Sequence, residues 1–430
     1  MTATSESESS SSIYNNRFRF YFFKKVCNIL AKININHHLS GHIVFRKHKL
    51  QAELKIVKGV VEEVKVLMLI DRLKTGGTER HVLSLSKFLL TKGIRVGIVT
   101  KGGPLTSAAR KMGISVHILP MQKEKLMNQI QGLYKIVNRN KYSIIHANTR
   151  LRLANRFQRA HPGIPLIVTV HSTYEPKNDL RASVVSSKKI VSVSPGLSQW
   201  LRKRGIPAYK IQLIPNGINT KQFQAKQPKK RWRKALGLPQ DARLLVYASR
   251  FERDKYPIAQ KVILAVEKVA RSNKKFAAVL YGPGPFRRQL SQLAQKVNQR
   301  LGRRVILVKG PLASIQNAYY AADIVVGTGR VALEAMACAR PVIAAGVSGY
   351  CGIVRPGSIA MMKSYNFGDH GSMISLNANR LVNDINFLLK RPQRLRILGE
   401  FGSKRIRRDF SISKVGGRYI ALYRKFTKTA

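Results

Sequence analysis

Acidic residues are scarce in this 430-residue chain: Asp and Glu number 20 against 78 Lys and Arg, a formal charge of +58 at pH 7. Such a field draws polyanions: nucleic acid, anionic headgroups or phosphate-bearing substrates. A solvated basic surface fits the same count. Cysteine is nearly absent. Cys27, Cys338 and Cys351 are too few and too scattered for a disulfide framework or a zinc site, which points to a reducing, cytoplasmic compartment. No apolar run approaches the ~18 residues that span a bilayer. The chain starts with Ser and Glu, unlike a secretory signal. No helix-turn-helix, zinc-finger or RNA-binding pattern is present, so no specific nucleic acid is expected as a partner.

Met1–Ser12 is Ser/Glu-rich low complexity and reads as disordered. Arg17–Ile35 mixes Phe18, Phe20, Tyr21, Phe22 and Phe23 with Arg17, Arg19, Lys24, Lys25 and Lys32, a composition that suits a headgroup interface. It equally suits a helix packed on the chain's own surface or an arm for another subunit. Residues 1–63 are read as a basic extension.

From Val64 the pattern changes to short apolar runs separated by helical periodicity. Strands are expected at 64–70, 96–100, 115–119, 144–146, 166–170 and 189–193, then at 244–248, 276–281, 305–308, 324–326 and 342–345. Strand, helix and strand in alternation make a parallel sheet. The fold class is therefore α/β, with two Rossmann-like doubly wound domains facing a cleft. Residues 64–212 form the first and 213–405 the second, joined by the turn-rich Pro215–Asn219. Residues 406–430 are read as a basic terminal helix. From Lys390 onward there are thirteen Lys or Arg and two acids.

The stretch Ala322–Tyr350 is the centre of this organisation. A β-branched strand runs into Gly327, Thr328 and Gly329, and a helix of good formers follows from Arg330. A glycine turn feeding a helix leaves amide N–H groups open to phosphate oxygens. Glu334, one turn further in, is suited to accept from a ribose diol or to pair with Arg330 at i,i+4. An ordinary strand–turn–helix fits the same residues.

Five segments in order resemble the GT-B-fold glycosyltransferases, in particular the large retaining family four: TGGTERH at 75–81, VHSTY at 170–174, PNGIN at 215–219, ASRFERDK at 248–255 and GTGRVALEAMACARPVIAAG at 327–346. The likeness spans about Val64–Tyr423. It implies that a sugar is moved from a nucleotide diphosphosugar to a hydroxyl acceptor. His171, Arg250 and Lys255 are the implied catalytic residues. Gly76, Gly77, Gly327, Thr328, Gly329, Arg330, Val331 and Glu334 would bind the donor. No D-x-D pair is present, so Arg250, Lys255 and the N–H groups of 328–331 are expected to carry the leaving diphosphate without a metal or other cofactor. Glu79 and Glu175 are weaker acceptor-side candidates.

One position departs from the family pattern. The earlier Glu of its E-x7-E motif is Val326 here. Expected partners are a nucleotide-sugar donor, a glycan or lipid-linked acceptor and an anionic membrane surface. The expected setting is cell-surface polysaccharide or glycolipid synthesis at the inner membrane face. A nucleotide-sugar epimerase of the same fold, a noncatalytic partner of another transferase and a polyanion-binding protein are the alternatives.

Overall fold

Apolar strands buried on both faces need helices on both faces, and both halves are built that way. The computed structural model describes residues 64–120, 125–225, 229–372 and 374–427. The extension 1–63, with its aromatic and basic segment, lies outside the described residues.

The first sheet has seven strands: β1 (Lys65–Leu69), β2 (Arg95–Thr100), β3 (Ser115–Ile118), β4 (Ile144–Ala147), β5 (Leu166–Val170), β6 (Lys189–Ser192) and β7 (Ile211–Leu213). Their spatial order is β3-β2-β1-β4-β5-β6-β7, and every pairing is parallel. The second sheet contains β8 (Arg243–Ala248), β9 (Phe276–Tyr281), β10 (Ile306–Lys309), β11 (Ile324–Gly327), β12 (Val342–Gly346) and β13 (Gly349–Ile353), in the order β10-β9-β8-β11-β12-β13. Among the pairings of these described strands, the β12–β13 hairpin is antiparallel and the rest are parallel. The two sheets bear out the two-part α/β reading. The sequence did not show β7 or β13: β7 has three residues, and Gly349–Ile353 contains two glycines and no apolar run.

Strand order reverses between β1 and β4 and again between β8 and β11. Ligands of open α/β sheets sit beyond the strand ends at such points. The segments that leave β1, β8 and β11 there are the ones that carry the glycine turn and cationic motifs.

The terminal residues depart from the expected division. Residue 405 falls inside the helix Pro392–Asp409, which packs on the helix Gly329–Ala337 of the second half. Gly399 allows this approach, since a Cβ there would lie 2.2 Å from the Ala339 carbonyl. The last helix, Ile412–Thr427, returns to the first half, where Val415, Tyr419, Leu422 and Tyr423 join its core. Two strands of chain therefore cross between the halves, and they pair: Ile218 N–H donates to Phe410 O at 2.7 Å, and Ile412 N–H donates to Ile218 O at 2.8 Å. Among the described residues no helix is long and apolar enough to cross a membrane.

Candidate functional site

One pocket lies between the halves at the two switch points. Its first-half wall is Thr75, Gly76, Gly77 and Arg80, the loop after β1 and the first turn of helix Gly77–Leu90. Arg250 and Lys255 enter from the segment after β8. Thr328, Arg330, Val331 and Glu334 enter from the segment after β11, with Asp369 beside them. Tyr281, Pro311, Leu312 and Ile315 line its apolar side. Eight of the expected residues thus meet there: Gly76, Gly77, Arg250, Lys255, Thr328, Arg330, Val331 and Glu334. Gly327, the last residue of β11, and Gly329, the first of the following helix, support the turn rather than line the pocket.

The helix start is open. Thr328 is the N-cap, but its hydroxyl does not cap the helix; Oγ1 donates instead to Phe367 O at 2.9 Å. Gly329 has φ +50, a left-handed conformation that favours glycine. Val331 corrects the expectation: its N–H already donates to Thr328 O at 3.0 Å, which leaves the amides of Gly329 and Arg330 as the open donors.

Charge in the pocket is unevenly satisfied. Arg330 Nε donates to Glu334 Oε1 at 2.7 Å, and both side chains are buried. Tyr319 OH donates to the other Glu334 oxygen at 3.4 Å. Glu334 is therefore neither a surface residue nor free: it anchors Arg330. The Arg330 fork then reaches Gly217 O at 3.1 Å and Ser84 Oγ at 2.9 Å in the first half. Lys255 Nζ is held by Asp369 Oδ1 at 3.0 Å. Arg80 and Arg250 have no ion pair or hydrogen bond to their side chains among the described residues. Two unpaired guanidinium groups beside an open helix start make a site for a polyvalent anion. Among the described residues no group of three or more His, Cys, Asp and Glu is placed to hold a metal.

His171 stands after β5, outside the pocket lining. Its Nε2 donates to Asn148 Oδ1 at 3.0 Å, because Asn148 Nδ2 is turned to His146 O. Its Nδ1 has no hydrogen bond among the described residues. Burial, with His370 nearby, pushes its pKa down to about 3, so the ring is neutral near pH 7. The His81 ring meets it edge to face at 4.9 Å. Glu79 tucks under Gly76, where a Cβ would fall 2.3 Å from its Oε2. Burial raises its carboxyl, against the pull of Arg250 and Lys74. Glu175 is likewise raised by burial and by the charge of Asp179. Val326, at the family's Glu position, is fully buried among the second half's core side chains.

Four residues of the site were not singled out by the sequence. Arg80 lies inside the TGGTERH motif, and its spacing of one helical turn from Gly76 is the signal that points to it. Tyr281 ends β9 with a buried hydroxyl that has no partner among the described residues, and burial pushes its pKa up to about 12. Asp369 and His370 come from a loop with no periodicity to read.

Known proteins share this fold. A model described as Glycosyltransferase Family 4 matches residues 75–222, and one described as Glycosyl transferases group 1 matches 228–405. The D-inositol 3-phosphate glycosyltransferase 2 of Catenulispora acidiphila is 27% identical over 76% of this chain and 84% of its own length. A glycosyltransferase from Rickettsia africae superposes with TM-score 0.69 at 18% identity, covering 86% of this chain and all of that one. Anabaena HepE, solved with UDP and glucose, superposes with TM-score 0.68 at 19% identity over 84% of this chain and all of its own. The two matched regions follow the two halves in order and meet at the pocket, and the chain belongs to the family-four-like glycosyltransferases of the GT-B fold.

Proposed function

We propose that the enzyme transfers a sugar from a nucleoside diphosphosugar to a hydroxyl acceptor, with the diphosphate seated against Arg80, Arg250, Lys255 and the open start of helix Gly329–Ala337. The observation that carries this reading is the pair of unpartnered guanidinium groups in a pocket that also holds a lysine and free helix amides. In the reaction the bond from the anomeric carbon to the diphosphate oxygen breaks, and its electrons leave with the diphosphate. The acceptor oxygen forms the new bond to the anomeric carbon, and its proton passes to the departing diphosphate oxygen. Negative charge grows on the leaving group, so cations fixed around it stabilise the transition state more than the ground state. No metal is needed in this account. Neutral His171, held through Nε2 by Asn148, offers Nδ1 as an acceptor for a sugar hydroxyl. Tyr281 and the Pro311–Ile315 wall form the side suited to a base and ribose, with Glu334 steadying Arg330 beneath them.

The UDP and glucose held by HepE and the inositol phosphate named for the Catenulispora relative support a sugar-nucleotide donor and a hydroxyl acceptor. The charge of +58 supports work on an anionic acceptor or at the cytoplasmic face of a membrane, in surface polysaccharide or glycolipid synthesis. The direct experiment incubates the chain with UDP-, GDP- and ADP-sugars and follows release of the diphosphate. Release from at least one donor supports transfer chemistry. Conversion of a donor to its isomer with no release would favour an epimerase instead.

A further inference from the structure

Two carboxylates face the pocket, and they differ in what they have left to give. Both oxygens of Glu334 are engaged, by Arg330 and Tyr319, and the residue is 2% exposed. Asp369 is different. Its side chain is 32% exposed and only Oδ1 is used, by Lys255. Oδ2 has no hydrogen bond among the described residues. It lies against the glycine turn, where a Cβ on Gly329 would be 3.2 Å from it.

The loop that presents Asp369 adopts a backbone that few sequences accept. Asn366, Phe367 and Gly368 have φ of 48, 57 and 92. Successive left-handed residues other than glycine persist only where the surroundings hold them. Here Phe367 is buried, its carbonyl accepts from Thr328 Oγ1, and Ser348 Oγ donates to Asp369 O at 3.0 Å. Beyond Asp369 the chain turns to the first half. His370 Nε2 donates to His171 O at 2.9 Å, and its Nδ1 meets the Ser194 hydroxyl at 2.8 Å. Adjacent side chains of one loop therefore grip the second half through Lys255 and the first half through His171.

A carboxylate with an open oxygen is unsuited to phosphate, which it repels. It suits a neutral group rich in O–H donors next to the phosphate. Lys255 has three N–H donors and gives one to Asp369, so it can hold the carboxylate and a phosphate oxygen together. We infer that Asp369 is the residue that selects the transferred sugar: Oδ2 accepts from hydroxyls of that sugar while Oδ1 keeps Lys255 on the diphosphate. This rests on the sugar-nucleotide reading above. It also provides a carboxylate at the sugar in a chain whose residue 326 is valine, and the carboxylate comes from a different loop.

The test measures Kd for UDP, GDP and ADP and for UDP-glucose, UDP-N-acetylglucosamine, GDP-mannose and ADP-glucose, on the wild-type chain and on Asp369→Asn. The informative quantity is the ratio of sugar-nucleotide Kd to diphosphate Kd for one base. In Asp369→Asn this ratio is expected to rise about tenfold, as for loss of a charge-assisted hydrogen bond, with diphosphate Kd unchanged or tighter. An unchanged ratio, or equal weakening of both ligands, overturns the inference and leaves Asp369 as a support for Lys255. If no diphosphate binds the wild type, the sugar-nucleotide reading itself fails. Asp369→Ser, which shortens the side chain, repeats the measurement should the amide variant melt at a lower temperature than wild type.

Discussion

Arg330 Nη2 donates to Ser84 Oγ at 2.9 Å across 246 positions of sequence. The same guanidinium holds Glu334 at 2.7 Å and the Gly217 carbonyl at 3.1 Å. One side chain thus ties the donor-side helix, the crossing between the halves and the first helix of the first half. Arg330→Ala strands a carboxylate that is 2% exposed, and breaking a buried pair in this way costs about 3–5 kcal/mol. Ser84→Ala removes one charge-assisted hydrogen bond and should cost about 1.5–3 kcal/mol. Urea unfolding of both variants checks the order. A larger loss for Ser84→Ala would contradict the role given to Arg330.

Much of this fold was legible because parallel strands are continuous apolar runs. VKVLMLI and LIVTV announce β1 and β5 without help from their neighbours. The glycine turn at 327–329 and the pair Arg250 and Lys255 were legible because each motif is local. What depends on distant contacts was not. Nothing in Tyr419 or Tyr423 says that the last helix closes the first half's core. Phe367 has a left-handed backbone only because the core and Thr328 hold it, so neither propensity nor periodicity leads to Asp369. For Glu334 the sequence alone offers two roles, a ribose ligand or a surface partner of Arg330 at i,i+4. The pair is present, but it is buried, and it extends to Ser84.

A buried polar chain joins the last helix to the first sheet. Tyr423 OH meets His146 Nδ1 at 2.7 Å, and His146 Nε2 meets Thr169 Oγ1 at 2.6 Å. Tyr423→Phe leaves one imidazole nitrogen unpaired in the core, a loss of about 1–3 kcal/mol. Thermal unfolding should show it, with the Kd for nucleoside diphosphates unmoved. A variant as stable as the wild type would show that the His146 contact contributes nothing.

Acid should weaken the fold through its buried imidazoles before the ion-paired aspartates titrate. Burial takes His146 and His171 down to about 3 from an ordinary 6.5, and His81 also lies well below its usual value through burial. The unfolded chain binds these protons first. Stability is therefore complete above pH 6.5 and is lost as pH falls from there toward 3. Asp71, Asp323 and Asp409, lowered from 3.8 once their cations outweigh burial, act only further down. The melting temperature at pH 5 should lie below that at pH 7.5. Equal values would contradict neutral buried imidazoles.

Cations fixed in the pocket take the place of a divalent ion in this account. Turnover in excess EDTA should stay within about twofold of the untreated enzyme, because preorganised donors need no added charge. Loss of turnover that added magnesium or manganese restores would show that a metal carries part of the diphosphate charge.

The central claim is that the unpaired guanidinium of Arg250 holds a diphosphate. Calorimetric titration of UDP, GDP and ADP into the wild-type chain and into Arg250→Ala tests it directly. At least one diphosphate should bind the wild type, and the variant should bind it about 10- to 100-fold more weakly, the worth of one charge-assisted contact. Equal affinity in a folded Arg250→Ala chain would contradict the account.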